Sequence, residues 1–399
     1  RSTLFPYTTL FRSGSGSLNV SSNYDGIVSK DTLVFNSGTY TITASDDGIR
    51  GKDNIAILTG TYNITASGDG IKSTNEDGSN GYIIIDGGTF NITSSNDGIQ
   101  AVTNLNINGG TFNIKTAGGY QTVLKNNITA KGLKAGSQIV IKKGTYSLNT
   151  ADDAIHSNGT VLISGGTLNI QTGDDALHAD GTLQVSGGTI IVSHCYEGLE
   201  GSTVTLTGGN TTITASDDGL NALGDNSTSS NTGRPGADNF KNSTGKIVIK
   251  NGTLQVYSNA DGIDCNGSIE MSGGNVYVES SNTDLQSALD HDNTMTITGG
   301  TIVALSKSSG AGDNGTLTSN VPYIYTTVNN ASGKIVLDSI SYTPKMSEYK
   351  YIFIASSSLS TGSATLTYGN NSTNVTLSTG NVSTLNNGGF GGNTRPGGR

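Results

Sequence analysis

The feature of this 399-residue chain that most constrains its fold is an internal repeat of about 22 residues. Each repeat carries a Gly-Thr mark, with Asn replacing Thr twice, at Thr39, Thr61, Thr89, Thr111, Thr145, Thr167, Thr189, Asn210, Thr253, Asn275 and Thr301. Successive marks lie 22, 28, 22, 34, 22, 22, 21, 43, 22 and 26 residues apart, so the longer steps are one unit plus an inserted loop. A fixed period of this size is typical of solenoids, in which each unit packs only against its neighbours.

Apolar and polar residues alternate within each unit, and a period of two indicates strands. In the unit from Thr89 to Gly110, alternation places on one side Phe90, Ile92, Ile99, Leu105 and Ile107, and on the other Asn91, Thr93, Asn104 and Asn106. Three short strands cannot bury their apolar faces alone, so successive units must stack. We therefore predict an all-β fold: a right-handed parallel β-helix of about twelve 22-residue coils, its hand following the general rule for parallel crossovers.

The chain divides into four parts by composition. Residues 1–13 (RSTLFPYTTLFRS) lack the repeat and begin without Met, so we interpret them as a translated sequencing-adapter artefact. The β-helix is expected over residues 14–305, with an exposed loop rich in Gly, Asn and Ser at 224–245. Alternating stretches in residues 306–385 predict a small C-terminal antiparallel β cap over the last coil, and residues 386–399 form a Gly/Asn-rich tail.

Composition excludes several classes of protein. The chain has 22 Lys and Arg against 31 Asp and Glu, a net charge of -9, and no basic cluster, which argues against binding to nucleic acid. It has no run of eighteen apolar residues, so we expect no transmembrane segment. Two cysteines, Cys195 and Cys265, are too few for a disulfide framework. We expect the protein to be a monomer.

The distinctive chemistry lies in the turn after the first strand of each unit, where an acidic residue usually precedes Gly or Ala and then Ile or Leu. This position is occupied in successive units by Asp47, Asp69, Asp97, Lys131, Asp153, Asp175, Glu197, Asp218, Asp261 and Asp284. Stacking at the repeat period places these side chains above one another. The structural alternative, favoured for isolated members such as Asp69 and Asp97, is that the Asp bonds its own backbone and the Gly takes a positive φ.

Several coils carry more carboxylates than a turn needs. Two carboxylates about 4.8 Å apart repel each other by about 1 kcal/mol in water and about 3.5 kcal/mol at an effective dielectric near 20, so a stack of them requires a cation. Oxygen ligands without a soft Cys set indicate Ca²⁺. The predicted calcium ligands are Asp152, Asp153, Asp174, Asp175, Glu197, Glu200, Asp217, Asp218 and Asn221 in one cluster, and Asp261, Asp264, Asp290 and Asp292 in a second.

Three further side chains are candidates for contact with a sugar. His156 and His178 are interpreted as hydrogen-bonding surface residues rather than metal ligands. The position of Tyr196 lies between those of Asp174 and Asp217, so we expect Tyr196 to face outward as an aromatic platform, the alternative being a partly covered surface Tyr. Three other tyrosines have the parity of core residues: Tyr40, Tyr62 and Tyr146.

The ordered set of turn motifs resembles a known family. The motifs are DDAIHSNG (152–159), DDALHADG (174–181), YEGLEG (196–201), DDGLNAL (217–223), ADGIDCNG (260–267) and ALDHD (288–292). They are similar to those of the clostridial carbohydrate-binding β-helix family, over most of the chain from about Asp25 to Ser383. The resemblance implies a polysaccharide-lyase-like fold, calcium binding, and recognition of cellulose-like and uronic-acid polymers without established cleavage. Cys265 and His291 depart from the family pattern, where Ser or Asn and an aromatic residue are expected.

Three functions remain open at this stage. The first is non-catalytic, calcium-dependent binding of a polysaccharide, in which the ion bridges protein carboxylates to a uronate polymer, or in which ladders of Thr and Asn bind cellulose. The second is a pectate-type lyase using Lys131 or Lys134 as the base, against the alternative that Lys131 only pairs with Asp153 at the surface. The third is an adhesin stalk without a ligand. A calcium site of modest affinity fills outside the cell, so we expect a secreted or cell-surface protein.

Overall fold

The computed structural model describes residues 10–12, 14–125, 128–224, 244–283, 286–308 and 315–382, and all regular elements in these ranges are β-strands. Three sets of parallel strands wind into a solenoid of about 12 turns, spaced about 22 residues apart, which confirms the predicted parallel β-helix. Within the described ranges, no helical segment has the length and apolar character needed to span a membrane.

The first face of the solenoid consists of the strands that begin at the Gly-Thr marks, and we call it the long-strand face. Its strands are Ser17–Ser22, Thr39–Ala44, Thr61–Ala66, Thr89–Ser94, Thr111–Thr116, Thr145–Thr150, Thr167–Thr172, Thr189–Cys195, Asn210–Ala215, Thr253–Ser258, Asn275–Ser280 and Thr301–Ser306. Neighbouring strands pair in parallel and in register, so Thr61 lies beside Thr89 and Thr89 beside Thr111.

The other two faces are built from shorter strands. The second face, which follows the acidic turn, contains Ile27–Ser29, Ile49–Gly51, Ile71–Ser73, Ile99–Ala101, Leu133–Ala135, Ile155–Ser157, Leu220–Ala222, Ile263–Cys265 and Leu289–His291. The third face contains Leu10–Arg12, Leu33–Phe35, Ile55–Ile57, Ile83–Ile85, Asn104–Ile107, Gln138–Ile141, Thr160–Ile163, Gly245–Ile249, Gly267–Met271 and Thr294–Ile297. Two continuous strands, Leu177–Val185 and Leu199–Leu206, run through both faces.

Aromatic rings stack in the interior, which confirms the predicted core parity of three tyrosines. The rings of Tyr40, Tyr62, Phe90, Phe112 and Tyr146 form one stack, with centroids 4.7 to 5.1 Å apart and planes within 8° of parallel. All five side chains are buried. The centroid spacing matches the distance between paired strands, so identical positions in successive turns pack face to face.

Glycine serves two different purposes in each turn of the solenoid. The glycine of the Gly-Thr mark takes a left-handed backbone conformation, with a φ of 129° at Gly60. The glycine of the Asp-Gly turn is different, because Gly48 is not among the described glycines with positive φ. A Cβ at Gly48 would lie 2.6 Å from the carbonyl oxygen of Gly70 in the next turn. The Asp-Gly turn therefore requires Gly for close stacking of turns, rather than for the positive φ considered above.

Antiparallel strands follow the solenoid. Strand Thr316–Ala331 first pairs in parallel with Thr294–Ile297, as far as Ser319, so parallel winding continues past residue 305. The remaining cap strands are Ile335–Leu337, Ile340–Tyr342, Tyr349–Ser356, Gly362–Tyr368 and Asn371–Val382. Tyr349–Ser356 pairs antiparallel with Thr301–Ser306, the last strand of the long-strand face. This pairing covers the open edge of the solenoid, where unpaired backbone groups would otherwise be exposed.

At the other end, strand Leu10–Arg12 pairs in parallel with Leu33–Phe35. Three residues of the segment interpreted as an artefact therefore extend the third face. Several sequence predictions lie outside the described residues: most of the 1–13 segment, most of the loop at 224–245, Asp284 of the turn series, and the tail at 386–399.

Candidate functional site

The acidic turn residues form a ladder that links successive turns of the solenoid. Oδ1 of Asp47 accepts a hydrogen bond from the backbone N–H of Asp69 at 2.9 Å, and Oδ1 of Asp69 accepts one from Asp97 at 2.9 Å. The same bond recurs at four further steps. The backbone N–H groups of Lys131, Asp175, Glu197 and Asp261 donate to Oδ1 of Asp97, Asp153, Asp175 and Asp218, respectively. Each carboxylate therefore bonds the neighbouring turn, not its own backbone as the turn-former alternative supposed. We call this series the acidic ladder.

A second column of side chains, three residues after the acidic ladder, lies beside it on the second face; we call it the partner column. Its paired members are Arg50, Lys72, Gln100, Lys134, His156, His178, Glu200, Asn221, Asp264 and Asp290. Along the solenoid the column changes from basic residues interrupted by Gln100, through two histidines, to acidic and amide residues. This change decides which ladder carboxylates already have a positive partner.

The register also joins the two predicted calcium clusters. Asn221 and Asp264 are 43 residues apart in the chain, yet they are paired neighbours on adjacent strands. Glu200 lies beside Asn221 on the other side, and Asp290 beside Asp264. The register therefore places Glu200 and Asn221 of the first predicted cluster and Asp264 and Asp290 of the second along one continuous column.

The N-terminal part of the acidic ladder is neutralised by basic members of the partner column. Arg50 lies 2.5 Å from Asp25, and Lys72 lies 2.6 Å from Asp69. Another carboxylate group that the sequence interpretation missed lies here: one oxygen each of Asp25, Asp46 and Asp47 come within 4.8 Å of one another. Its signal in the sequence is the first Asp-Gly-Ile turn at residues 25–27.

Lys131 occupies a ladder position in the middle of the series and supplies a half-buried positive charge. Its Nζ lies 2.8 Å from Oδ1 of Asp152 and 2.5 Å from Oδ2 of Asp153, and its side chain is 13% exposed. Nδ1 of His156 lies 2.8 Å from the same Asp153 oxygen. Burial raises the pKa of Asp153, but the His156 hydrogen bond and the Lys131 charge outweigh it and hold this pKa at about 2. Asp174, which is exposed, completes a group of three carboxylates with Asp152 and Asp153. We call Lys131 and these three carboxylates the Lys131 group.

Lys134, the other candidate base, turns away from this group. It is paired in register with His156, as the repeat predicted, but its Nζ lies 3.1 Å from Oδ2 of Asp97 in the preceding turn. The described residues therefore show both candidate lysines in ion pairs with aspartates. The pKa of Lys131 is raised, because attraction to Asp153 and hydrogen bonds to Asp152 and Asp153 outweigh the lowering by burial.

His178 bridges carboxylates of adjacent turns, whereas His156 contacts Asp153 and the side-chain oxygen of Asn158. Nδ1 of His178 lies 3.0 Å from Asp175 and 2.8 Å from Glu200, and the His156 and His178 rings are 4.6 Å apart. Burial lowers the pKa of His178, but its bonds to Asp175 and Glu200 raise it to about 11. Burial and the hydrogen bond with Glu200 raise the pKa of Asp175, whereas hydrogen bonds with His178 and Asp175 outweigh burial and lower the pKa of Glu200. His178, Asp175 and Glu200 also have ligand atoms within 4.8 Å of one another, as do Asp153, His156 and His178.

Beyond Glu200 the described part of the partner column offers no basic side chain to the ladder. Burial and the charge of Glu200 raise the pKa of Glu197 to about 7. Burial and the charge of Asp261 raise the pKa of Asp218 to about 8. Burial and the charges of Asp218, Asp290 and Asp292 raise the pKa of Asp264 to about 8. These carboxylates repel one another in a poorly solvated position, which is the situation that a bound cation relieves.

Asn221 lies among these carboxylates and has an unsatisfied atom. Its side chain is 5% exposed, and its Nδ2 donates a hydrogen bond to Oε2 of Glu197 at 2.9 Å. Its Oδ1 is buried and has no hydrogen-bond partner among the described residues. A buried carbonyl oxygen is normally hydrogen-bonded, and it is also a hard ligand of the kind Ca²⁺ prefers. We call Glu197, Asp218, Asn221 and Asp264 the Asn221 cluster; its oxygen donors are of the kind that Ca²⁺ prefers. The described acidic and histidine groups whose ligand atoms all lie within 4.8 Å of one another are found elsewhere, around Asp47, Asp153 and Asp175.

The acidic ladder and the partner column together form what we call the acidic column, and Tyr196 lies at its edge. Its side chain is 47% exposed, in the outward orientation expected from its position. A hydrogen bond with Asp217, together with burial, raises the pKa of Tyr196. Among the predicted ligands, Asp217 is therefore engaged with Tyr196, and Asp261 accepts a hydrogen bond from the backbone of Ser287.

The long-strand face carries a separate polar surface over the N-terminal turns. Outward side chains line a shallow groove of about 450 Å³. Along it, Nδ2 of Asn91 donates to Asn63 at 2.8 Å, and Nδ2 of Asn113 donates to Asn91 at 3.0 Å. The Asn ladder is flanked by threonines, including Thr65 and Thr93. This groove carries Thr and Asn ladders of the kind considered above for cellulose.

The fold and these surfaces define a parallel β-solenoid with an acidic column along one edge. A family model described as a carbohydrate-binding domain-containing protein matches residues 1–176, which supports a carbohydrate-binding family. The match includes the Asn ladder and the Lys131 group and ends before the Asn221 cluster. Comparisons with curated proteins and with solved structures gave no significant match.

Proposed function

We propose that the protein is a non-catalytic, calcium-dependent binding module for plant cell-wall-type polysaccharide, either an acidic uronate polymer or cellulose. The observation that carries the calcium part is the buried, unpaired Oδ1 of Asn221 among carboxylates. The family match over residues 1–176 supports the carbohydrate part.

The Asn221 cluster would hold the ion through Oδ1 of Asn221 and the carboxylates of Glu197, Asp218 and Asp264. A bound calcium ion supplies positive charge that can attract a uronate carboxylate. Without it, a chain of net charge -9 repels an anionic polymer. Cellulose carries no charge, and its binding would rely on the Asn and Thr surface of the long-strand face.

Two observations favour binding over lyase chemistry. A lyase needs an unprotonated base next to the sugar carbon that loses its proton. Lys131 is held protonated by Asp152 and Asp153, and its pKa is raised. Lys134 contacts Asp97, outside the Lys131 group.

We further propose that the protein acts outside the cell, secreted or attached to the surface, as a monomer. Oxygen-ligand calcium sites of modest affinity are filled at the near-millimolar calcium concentrations found there. The plant-type polymers named above are also extracellular.

The function can be tested by affinity electrophoresis in gels containing polygalacturonate, and by pull-down with insoluble cellulose, each with calcium and with EDTA. We expect retention by polygalacturonate only with calcium, and we expect Asp264→Asn to reduce both calcium affinity and retention. Asp86→Asn is the matched control, because Asp86 is exposed and bonds Asn108 away from the acidic column.

Three results would contradict the proposal. If neither polymer retains the protein, the proposal of polysaccharide binding is contradicted. Polygalacturonate retention that persists in EDTA and in Asp264→Asn would remove the role of calcium. An unsaturated product absorbing in the near ultraviolet, formed by the parent protein and lost in Lys131→Ala or Lys134→Ala, would show a lyase.

A further inference from the structure

We propose that Tyr120 and His194 form an aromatic platform on which a pyranose ring of the bound polysaccharide stacks. This inference rests on the proposed function and assigns a sugar subsite beside the acidic column. Neither residue belongs to the repeat pattern: Tyr120 lies in the insertion between Thr116 and Leu133, and His194 lies in a strand with an extra residue.

The extra residue in this strand changes the direction of the His194 side chain. Strand Thr189–Cys195 has seven residues, and its pairing with Thr167–Thr172 shifts so that Gln171 pairs with His194. The pairing on its other side shifts between Val192 and Cys195. Such a β-bulge turns a side chain from its regular direction, and bulges are over-represented next to functional sites. As a result Ser193 and His194 are both exposed, although they are consecutive residues.

The ring of His194 is fixed by a hydrogen bond. Its Nδ1 lies 3.0 Å from the carbonyl oxygen of Thr172. A carbonyl can only accept, so Nδ1 carries the hydrogen and Nε2 of a neutral ring remains an acceptor. The ring can therefore offer both an apolar face and an acceptor to a sugar hydroxyl.

Tyr120 is positioned against His194 by the start of the insertion. Its backbone N–H donates to Oδ1 of Asn149 at 2.8 Å, and its ring centroid lies 4.7 Å from that of His194, with planes inclined by 50°. Gly119 has a φ of 97°, and a Cβ at Gly173 would lie 3.0 Å from the carbonyl oxygen of Tyr120. These two glycines allow the insertion to lie close against the neighbouring turns.

The aromatic pair adjoins the acidic column. Gly173, which Tyr120 approaches, directly precedes Asp174, and the backbone N–H of Tyr196 donates to the Asp174 carbonyl at 2.9 Å. At its far end the insertion bonds Oδ2 of Asp152 through the N–H of Ala130. Sugars present apolar C–H faces and polar edges, so rings beside carboxylates and hydroxyls match both parts of a pyranose.

The test uses Tyr120→Leu, which retains apolar bulk, and His194→Gln, whose side-chain amide can still donate to the Thr172 carbonyl. We expect each to weaken retention on polygalacturonate or cellulose about 3- to 10-fold, the range for losing one aromatic contact. Calcium affinity and melting temperature should stay at the parent values. Tyr24→Ala is the matched control, because Tyr24 is 80% exposed and lies in the first turn.

A second readout separates sugar contact from a structural role. The chain has four histidines, so the ring resonances of His194 can be assigned in a ¹H–¹³C spectrum by their loss in His194→Gln. Adding a short oligogalacturonate, or in a separate arm a cello-oligosaccharide, should shift these resonances in proportion to binding.

The outcomes are distinguishable. Suppose that the parent protein is retained in calcium, that both variants are retained equally well, and that the His194 resonances do not shift. This result would contradict the aromatic platform and leave the proposed function intact. Parent protein that binds neither polymer would overturn the function itself. Weaker retention accompanied by a large drop in melting temperature and no His194 shift would assign the pair a structural role instead.

Discussion

Nζ of Lys131 lies 2.5 Å from Oδ2 of Asp153, so an ammonium group lies within the acidic column. Earlier in the ladder, Asp25, Asp69 and Asp97 have basic partners from the partner column, and Lys131 itself pairs with Asp152 and Asp153. The Asn221 cluster, further along, has none among the described residues. This difference gives the molecule a self-neutralised segment and a segment whose carboxylates have no basic partner among the described residues.

Replacing Lys131 by Met should remove the ammonium group that pairs with the carboxylates of Asp152 and Asp153. Breaking one side of a buried ion pair costs about 3 to 5 kcal/mol, so we expect a loss of this order in the free energy of unfolding in EDTA. Urea denaturation measures it. Calcium should restore part of the loss by occupying the vacated position. Lys115→Met, at an exposed lysine, is the control and should change stability by less than about 0.5 kcal/mol. A Lys131→Met variant as stable as the parent in EDTA would contradict the account of this charge.

Calcium should stabilise the parent protein. The ligands are brought together only in the folded stack, so at 100 times the dissociation constant the gain is about 2.7 kcal/mol. We expect the melting temperature to rise by several degrees between EDTA and millimolar calcium in calorimetry. Magnesium should have a smaller effect because it retains its waters more strongly. Identical melting curves in calcium and in EDTA would contradict the proposed metal site.

Without metal, stability should decrease as pH rises from about 4 to about 8. In the folded state the pKa values of Glu197, Asp218 and Asp264 are about 7, 8 and 8, above their ordinary values of 4.5, 3.8 and 3.8. The folded state therefore binds more protons in this window, and folding weakens as these carboxylates ionise. Urea titrations in EDTA at several pH values measure the slope. Asp218→Asn should make it shallower; an unchanged slope in that variant would disagree with the assignment.

Glu279 should be essential for docking the cap. Its carboxylate is 3% exposed and accepts hydrogen bonds from the Tyr342 hydroxyl at 2.5 Å and from the backbone N–H groups of Lys345 and Met346 at 2.9 and 2.7 Å. Glu279→Gln places an NH₂ group against donors, which should cost about 1 to 3 kcal/mol. Limited proteolysis should then cut the cap faster than in the parent.

The control for that experiment is Glu270→Gln. The Glu270 side chain is 52% exposed in its ion pair with Lys246. A pair so exposed contributes at most about 1 kcal/mol, so the cap should be cut at the parental rate. Equal protection of the cap in both variants would show that Glu279 is not its anchor.

The sequence by itself determined the architecture. The period of the Gly-Thr marks and the alternation in units such as Thr89 to Gly110 predicted parallel strands in a stacked solenoid, and the structure has them. The same period predicted which residues stack, including Tyr40, Tyr62 and Tyr146 in the core. This succeeds because a repeat fixes the backbone register between turns, and the register carries every Cβ with it.

Only the tertiary structure decided how the charges are distributed. The direction of a long side chain depends on its surroundings: Lys131 reaches forward to Asp152 and Asp153, whereas Lys134 reaches back to Asp97. Inserted loops hide neighbours, so Asn221 and Asp264 looked like members of separate clusters. The contact between Tyr120 and His194 joins an insertion to a bulge, and neither has a periodic signal. Register is a property of the backbone, whereas pairing of charges and rings requires the positions of side chains in three dimensions.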